Sequence, residues 1–218
     1  MTKRFDLIVF DWDGTLIDSA GAIVASLQAA CRDLDLPVPS EERARHIIGL
    51  GLSDSLAYVL PGVAPEVYPR VAERYGHHFR LRDPHTPLFP GAEQALWSLR
   101  EAGFMLAVAT GKSRRGLERA LDQTGLRTVF HATRCGDESG SKPDPGMLTD
   151  LMEILGSAPG QTLMIGDTTH DLQMAINAGV ASVAVAYGAH PRVQLAALRP
   201  LVCMDQPQAL WHWLKHNA

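Results

Sequence analysis

The sequence predicts an α/β fold in which a parallel β-sheet is covered by helices on both faces. The first observation is that six short apolar runs recur along the 218 residues. The second is that stretches with helical spacing of apolar residues separate most of these runs, and strands that alternate with helices pair in parallel. The runs are residues 7–10, 104–109, 129–132, 162–165, 181–186 and 201–204.

The interval from residue 19 to residue 83 breaks this alternation because it contains no convincing strand. Two groups of apolar residues recur there at helical spacing, and prolines separate the segments between them. The first group is Ile23, Leu27, Cys31 and Leu34, and the second is Val67, Val71, Tyr75 and Phe79. We therefore expect a small all-helical cap domain, residues 19–83, inserted after the first strand of a core made of residues 1–18 plus 84–218. An insert that leaves the carboxyl end of a strand lies over the ligand site of an open parallel sheet, so it is a candidate lid.

The segment after this insert is predicted to be a helix. It begins after Pro90-Gly91, and Gly103 follows it as a glycine of the kind that commonly ends helices. Its apolar residues at helical spacing are Ala92, Ala95, Leu96, Leu99 and Ala102.

Composition and charge argue against several classes of protein. The chain carries 20 Lys+Arg against 24 Asp+Glu, a net charge of −4, and its pI is near 6.1. Nucleic-acid-binding domains usually have a basic face and a high pI, so no nucleic-acid partner is expected. No segment approaches the roughly 18 consecutive apolar residues of a membrane helix, so no membrane partner is expected either. The three cysteines are far apart and lack metal-ligand spacing, which favours a reduced, cytoplasmic protein.

Two carboxylates follow the first predicted strand, in the pentapeptide Asp11-Trp12-Asp13-Gly14-Thr15. Asp and Gly also favour turns, so a plain turn is the alternative interpretation. A given string of this kind occurs by chance in well under ~1% of chains of this length, and its position at a strand end favours a function. Trp12 should point away from both aspartates and pack in the core.

A second acidic pair follows the predicted strand at residues 162–165, in Gly166-Asp167-Thr168-Thr169-His170-Asp171. Thr168 and Asp171 also fit a helix capping box, which alone would explain Asp171 but not Asp167. If the two strands are neighbours, Asp11, Asp13 and Asp167 converge, and like charges so close together need a cation. An all-oxygen cluster with open positions for phosphate favours Mg²⁺.

Two further segments offer groups that bind anions. Thr110-Gly111-Lys112-Ser113 ends a predicted strand and combines a hydroxyl with free backbone amides at a strand-to-helix junction. Ser113 can also simply cap the next helix. Lys142 is one of only four lysines in the chain, and Pro143 after it keeps its backbone extended.

These segments together resemble the four ordered motifs of the haloacid dehalogenase-like hydrolase superfamily. The matching positions are Asp11-x-Asp13, Thr110, Lys142 and Gly166-Asp167 with Asp171, and the resemblance spans residues 6–171. It implies a Rossmann-like parallel-sheet core with a helical cap. It also implies that Asp11 is the nucleophile that takes the phosphoryl group, and that Asp13 protonates the leaving oxygen and then activates water.

The resemblance further implies a bound Mg²⁺ as cofactor. The ion would be held by the Asp11 carboxylate, the Asp13 backbone carbonyl and Asp167, with Asp171 supporting its water shell. Such an ion shields the attacking carboxylate from an anionic substrate.

The transferring phosphoryl group would be bound by Thr110, Gly111 and Lys142, and Lys142 could also orient the acidic cluster. Among the nine histidines, His170 lies inside the last motif and should be near the metal. The others show no metal-ligand spacing and are expected at the surface or in packing contacts, including His77, His78, His131 and His190.

The branches of this superfamily differ at positions that can be compared here. Haloacid dehalogenases lack the second aspartate, which argues against dehalogenation because Asp13 is present. The branch that cleaves phosphonates needs a lysine in the cap, and residues 19–83 contain none. In the hexose-phosphate mutase branch an arginine binds a second phosphate at about the place of Leu52, although Arg43, Arg45 or Arg80 could supply that charge. The chain therefore looks most like a phosphoglycolate phosphatase-type monoesterase.

We therefore predict a Mg²⁺-dependent phosphatase that hydrolyses a small phosphorylated substrate, phosphoglycolate-like or a sugar phosphate, through an aspartyl-phosphate intermediate. Gly49, Leu50 and Gly51 of a cap loop, with Lys112, would select the substrate, and a plain turn between helices is the alternative for that loop. A mutase and a pyrophosphatase are the alternatives within the superfamily. A phospho-receiver module that holds its phosphate is the alternative from another class, but such modules lack the insert and the second aspartate. The choice between a monomer and a homodimer stays open.

Overall fold

Six parallel strands form one β-sheet at the centre of the protein. The computed structural model describes residues 3–82 and 86–218. The strands are β1 (Leu7–Phe10), β2 (Met105–Thr110), β3 (Ala132–Cys135), β4 (Thr162–Gly166), β5 (Ala181–Val185) and β6 (Cys203–Met204). Their order across the sheet is β3-β2-β1-β4-β5-β6, so β1 lies between β2 and β4.

Helices fill most of the remaining chain. Within the described ranges, none of them combines the length and the apolar character needed to cross a membrane. The α-helices are α1 (Ala20–Asp33), α2 (Glu41–His46), α3 (Leu52–Val59), α4 (Tyr68–Arg82), α5 (Ala92–Glu101), α6 (Arg114–Thr124), α7 (Gly146–Leu155), α8 (Thr169–Asn177), α9 (Arg192–Ala197) and α10 (Pro207–Asn217).

Both faces of the sheet are buried against helices. Successive residues of a strand point to opposite faces. Ile8 and Phe10 belong to a core that includes residues of α5, α6 and α10, whereas Leu7 and Val9 belong to a core with residues of α7 and α8. All four residues of β1 are completely buried, as is typical of parallel strands covered on both sides. The predicted α/β fold is therefore confirmed.

Helices α1 to α4 lie in the interval where the sequence predicts a helical insert, between β1 and β2. They share a hydrophobic cluster of their own, and it contains residues from all four helices. Both predicted apolar faces point inward, since Leu27 and Cys31 are buried in α1 and Val71 and Phe79 are buried in α4. The predicted boundary between residues 83 and 84 lies outside the described residues.

The helix predicted after the insert is α5, and it ends as expected. Gly103 has a φ of +83°, in the left-handed region that favours glycine. Its N–H donates to the Arg100 carbonyl at 2.9 Å, and the Phe104 N–H donates to the Leu99 carbonyl at 3.1 Å. These bonds satisfy carbonyls that the helix itself leaves open.

Strand β3 begins three residues later than predicted. The predicted run at residues 129–132 is apolar because Val129 and Phe130 are buried in the core, but Val129 lies in a turn. Its N–H donates to the Leu126 carbonyl at 3.0 Å. The strand itself is the Ala-Thr-Arg-Cys segment Ala132–Cys135, which lies at the edge of the sheet and shows little apolar pattern. Burial in a turn was therefore mistaken for burial in a strand.

Replacing Leu106 by Ala should lower the free energy of unfolding by about 2–5 kcal/mol, because the change removes apolar contacts and leaves a cavity. Leu106 lies in β2 and is completely buried. The matched control is Leu201→Ala, since Leu201 is 44% exposed and the expected change is within about 0.5 kcal/mol. Urea unfolding followed by circular dichroism measures both values. Equal effects of the two changes would contradict this description of the core.

Candidate active site

The carboxyl ends of three neighbouring strands bring the predicted site residues together. Asp11 follows β1, Asp167 follows β4, and Thr110 is the last residue of β2. Phe10 is in register with Ile165 of β4, and the Asp11 N–H donates to the Ile165 carbonyl at 2.9 Å. The closeness of Asp11 and Asp167 therefore follows from the strand order.

Lys142 is the centre of a buried cluster of charges. Its Nζ donates to Asp11 Oδ1 at 2.6 Å and to Asp171 Oδ1 at 2.6 Å. All three side chains are completely excluded from solvent. One ammonium thus joins the end of β1, the start of α8 and the loop before α7.

Asp167 is held by short contacts to both of its carboxylate oxygens. Thr15 Oγ1 donates to Oδ1 at 2.9 Å, and the Ala189 N–H donates to Oδ2 at 2.7 Å. Gly14, with a φ of +87°, leaves the space that this carboxylate occupies, because a Cβ there would lie 2.1 Å from Asp167 Oδ2. Glycine in the first motif is therefore required by the carboxylate of the last motif.

Asp171 has two roles, one for each oxygen. The capping box is present, because Thr168 Oγ1 accepts from the Asp171 N–H and the Thr168 N–H donates to Asp171 Oδ2 at 3.0 Å. Oδ1 of the same carboxylate accepts from Lys142. The capping interpretation is thus correct and incomplete, because capping does not account for the contact with Lys142.

Burial dominates the electrostatics of this cluster. It raises the pKa of Asp11 to about 7 even though Lys142 opposes the shift. Burial, together with the charges of Asp11 and Asp171, also raises the pKa of Asp167 well above its usual value. Burial alone lowers the pKa of Lys142, but the carboxylates of Asp11 and Asp171 raise it above the usual value, so the lysine is charged. One positive charge therefore faces three buried carboxyl groups.

The cluster has the donor set of a hard divalent cation. Carboxylate oxygens of Asp11, Asp167 and Asp171 lie within 4.8 Å of one another. Asp11 Oδ2 is buried and has no hydrogen-bond partner among the described residues. An orphaned buried oxygen is rare in folded proteins and points to a missing ion or ligand. Oxygen ligands of this kind fit Mg²⁺.

Asp13 lies at the outer side of the cluster and is 7% exposed. Ser19 Oγ donates to its Oδ1 at 2.7 Å, and Lys112 Nζ lies 3.0 Å from the same oxygen. Lys112 also lies over the ring of Phe79 in α4, with 4.7 Å from Nζ to the ring centroid. Thr110 Oγ1 accepts from the Lys112 N–H at 3.2 Å. The sequence did not indicate Ser19, because a serine before a helix ordinarily suggests only a cap.

The predicted substrate-selecting loop packs directly on the core. A Cβ on Gly111 would lie 2.5 Å from the carbonyl oxygens of both Gly49 and Leu50. The Gly51 N–H donates to Ser141 Oγ at 2.9 Å, next to Lys142 in the chain. The loop therefore touches the ends of two segments that carry predicted phosphate-binding residues, and it does more than join α2 to α3.

Three histidines form a second contact between the insert and the core. His170 Nε2 and His190 Nε2 both donate to the carbonyl of His46, the last residue of α2, at 2.7 Å and 3.1 Å. His190 Nδ1 accepts from the Thr169 N–H at 3.0 Å, so its proton is on Nε2. Burial lowers the pKa of His190 to about 4, which keeps the ring neutral near pH 7. The sequence did not indicate this contact, because it depends on how the insert is placed.

A buried Asp–Lys cluster at the carboxyl edge of a parallel sheet, beneath a helical insert, defines an α/β enzyme of the aspartate-dependent type. The chain belongs to the haloacid dehalogenase-like hydrolases, since the model of the family "Haloacid dehalogenase-like hydrolase" matches residues 8–185. The resemblance inferred from the motifs is thereby confirmed.

Relatives of known name are similar over most of their length. The "Probable phosphatase IndB" of Dickeya dadantii is 37% identical over 204 residues, which cover 91% of this chain and 89% of that protein. The "Phosphoglycolate phosphatase" of Vibrio cholerae is 32% identical, with 91% and 92% covered. A crystal structure described as a predicted phosphoglycolate phosphatase from Haemophilus somnus has a TM-score of 0.82 and 27% identity, covering 94% of this chain and 96% of that one.

In metal-free protein, the free energy of unfolding should fall as the pH rises between about 4 and about 7. Burial raises the pKa of Asp11 to about 7 in the folded state, whereas the unfolded chain releases this proton near 4. The stabilisation is complete below the unfolded pKa and is lost as the pH rises toward the folded pKa, by about 1 kcal/mol per pH unit. Urea unfolding at several pH values with a chelator measures this slope. Asp11→Asn should make it shallower, and an unchanged slope would contradict the assignment.

Proposed function

We propose that this chain is a Mg²⁺-dependent phosphatase that hydrolyses a small phosphate monoester through a phosphoaspartate on Asp11. The observation that carries the proposal is the Asp11 carboxylate, which is fixed by Lys142 at the end of the central strand and has Asp13 two residues later. Family membership and relatives named phosphatases support it.

In the first step, a carboxylate oxygen of Asp11 forms a bond to phosphorus while the bond from phosphorus to the alcohol oxygen breaks. Asp13 gives its proton to that oxygen, and the alcohol leaves. In the second step, Asp13 takes a proton from water, the water oxygen bonds to phosphorus, and the Asp11 carboxylate is released with inorganic phosphate. Ser19 and Lys112, both on Asp13 Oδ1, fix the orientation of this acid.

Thr110, Gly111 and Lys142 are the proposed contacts of the phosphoryl oxygens. Thr110 offers a hydroxyl and Gly111 a backbone amide at the end of β2, and Lys142 offers a positive charge beside the nucleophile. Fixed donors of this kind stabilise charge that develops during phosphoryl transfer.

Mg²⁺ would be held by the Asp11 carboxylate, the Asp13 backbone carbonyl and Asp167, with Asp171 supporting its water shell. When bound, the ion would neutralise negative charge between the carboxylate and the phosphate. The unpartnered Oδ2 of Asp11 and the single ammonium among three buried carboxyl groups support this assignment.

We also propose that residues 19–83 act as a cap over the site. Their own hydrophobic cluster supports a separate unit, and three contacts support closure on the core. These contacts are the loop at residues 49–51 on Gly111, Phe79 on Lys112, and the His46 carbonyl on two core histidines.

Asp11→Asn should abolish multiple turnover of 4-nitrophenyl phosphate and prevent covalent phosphorylation, because the amide is not a nucleophile. Asp13→Asn should lower kcat by about 10²–10⁴-fold and let phosphoenzyme accumulate, because water is no longer activated. Steady-state rates and mass spectrometry of acid-quenched enzyme measure both effects. Turnover retained by Asp11→Asn would contradict the nucleophile assignment. Stoichiometric phosphorylation of the wild type without turnover would instead identify a receiver module.

A chelator should abolish turnover, and added Mg²⁺ should restore it and raise Tm, because a ligand that binds the folded state stabilises it. Asp167→Asn should weaken both responses. Glu101→Gln is the matched control, since Glu101 is exposed and lies where β2 begins, at the opposite edge of the sheet. Differential scanning fluorimetry gives the Tm response independently of activity. An equal Mg²⁺ response in Asp167→Asn and wild type would contradict the metal site.

A further inference from the structure

A cavity of about 280 Å³ lies between the insert and the core, and Asp13 is part of its wall. We infer, on the basis of the proposed function, that this cavity holds the alcohol part of the substrate. We propose that this part is an apolar body that ends in a carboxylate, so that the substrate is the phosphate monoester of a hydroxy acid longer than glycolate.

The wall that the insert contributes is largely apolar. Leu27, Ile47, Leu50, Leu56 and Phe79 line it. Burying apolar substrate against such a wall is favourable by roughly 25 cal/mol per Å². The hydroxyl groups of a sugar would lose water there without gaining equivalent partners, which is costly. The wall therefore favours an alcohol with an apolar body over a polyhydroxylated one.

The size of the cavity argues in the same direction. Its volume corresponds to about nine water molecules at liquid density, which is close to the lower end of the range of ligand pockets. The two carbons of a glycolate body would fill only a small fraction of it. A longer body displaces more water and buries more apolar surface.

The charges around the cavity are strongly unequal. Among the described residues that line it, Asp13 is the acid, whereas Arg80, Lys112, Arg115 and Arg119 are basic. Lys112 is paired with Asp13. Arg115 and Arg119 follow it along α6, one helical turn apart, which is about 5 Å. The remaining excess of positive charge fits an anionic group on the substrate besides its phosphate.

Arg115 lies at a position that its own helix does not favour. Basic residues in the first turn of a helix oppose the helix dipole. Its neighbour Arg114 is compensated by ion pairs with Glu118 and Glu138. For Arg115, residues 3–82 and 86–218 provide no carboxylate within ion-pair distance, and its side chain lines the cavity instead.

Arg80 reaches the cavity from the other side, in α4. Gly76 lies one turn earlier, and a Cβ there would be 3.1 Å from Arg80 Nη1, so the guanidinium lies back over the glycine. Both residues line the cavity. Glycine inside a helix costs about 1 kcal/mol relative to alanine, and here it gives the guanidinium room.

The other two arginines that could supply a second anion site are placed elsewhere. Arg43 lies over the ring of Tyr58, with 4.9 Å from its Cζ to the centroid, and Arg45 pairs with Glu41 at 2.9 Å. Neither lines the cavity. Arg80 is therefore the member of this group that is placed to meet a substrate.

A panel of primary alkyl phosphates tests the two parts of the proposal separately. Hexyl phosphate has the body without the charge, phosphoglycolate has the charge without the body, and 6-(phosphonooxy)hexanoate has both. The fourth ester, 6-aminohexyl phosphate, reverses the charge. The kcat/KM of each is measured with Mg²⁺ for the wild type, for the double variant Arg80→Gln/Arg115→Gln, and for Arg70→Gln. The last is a matched control, because Arg70 is an exposed arginine of α4 outside the cavity lining.

The wild type and Arg70→Gln should prefer 6-(phosphonooxy)hexanoate over hexyl phosphate by about tenfold, and over the amino ester by more. The double variant should lose most of this preference, and salt should weaken it. The hexanoate ester should also exceed phosphoglycolate. Hydrolysis of hexyl phosphate without preference for the carboxylate, or an equal preference in the double variant, would overturn this inference alone. Phosphoglycolate as the best substrate would also overturn it. Absence of hydrolysis of all four esters would overturn the proposed function and this inference together.

Discussion

The contact of Lys142 with two buried carboxylates is the interaction on which the site depends. Moving charges out of water costs several kcal/mol for each ion, and removing one partner of such a pair typically costs about 3–5 kcal/mol. The contact also joins parts of the chain that are far apart in sequence, since Asp11 follows β1 and Asp171 lies in α8. The geometry at Asp11 is thereby fixed by the packing of the whole sheet, and one of its oxygens is left free for chemistry.

Close backbone approach is the second constraint, and glycines make it possible. Gly14 gives space to the Asp167 carboxylate, and Gly166 gives space to Asp171, whose Cβ would lie 2.3 Å from an added Cβ. At Gly111 the same lack of a side chain lets the loop at residues 49–51 lie against the end of β2. The motif glycines are therefore explained by the space they leave, in addition to the turns they allow.

Local sequence patterns were enough to predict the fold class, the helical insert and the helix that ends at Gly103. They also identified Asp11, Asp167 and Lys142 as residues with chemical roles, because charged residues directly after apolar strands are hard to explain otherwise. The pattern failed at β3, where a buried turn resembles a strand. It could not supply the contacts of Ser19 or of the His46 carbonyl, since these depend on the placement of the insert over the core.

The complete burial of Asp11 has a kinetic consequence. A group that solvent cannot touch cannot be reached by a phosphate ester either, and the cavity beneath the insert includes Asp13 but not Asp11 in its wall. Substrate must therefore arrive while the insert stands farther from the sheet, and product must leave in the same way. Each catalytic cycle includes an opening and a closing event, so the frequency of that movement sets a ceiling on kcat that faster chemistry cannot exceed.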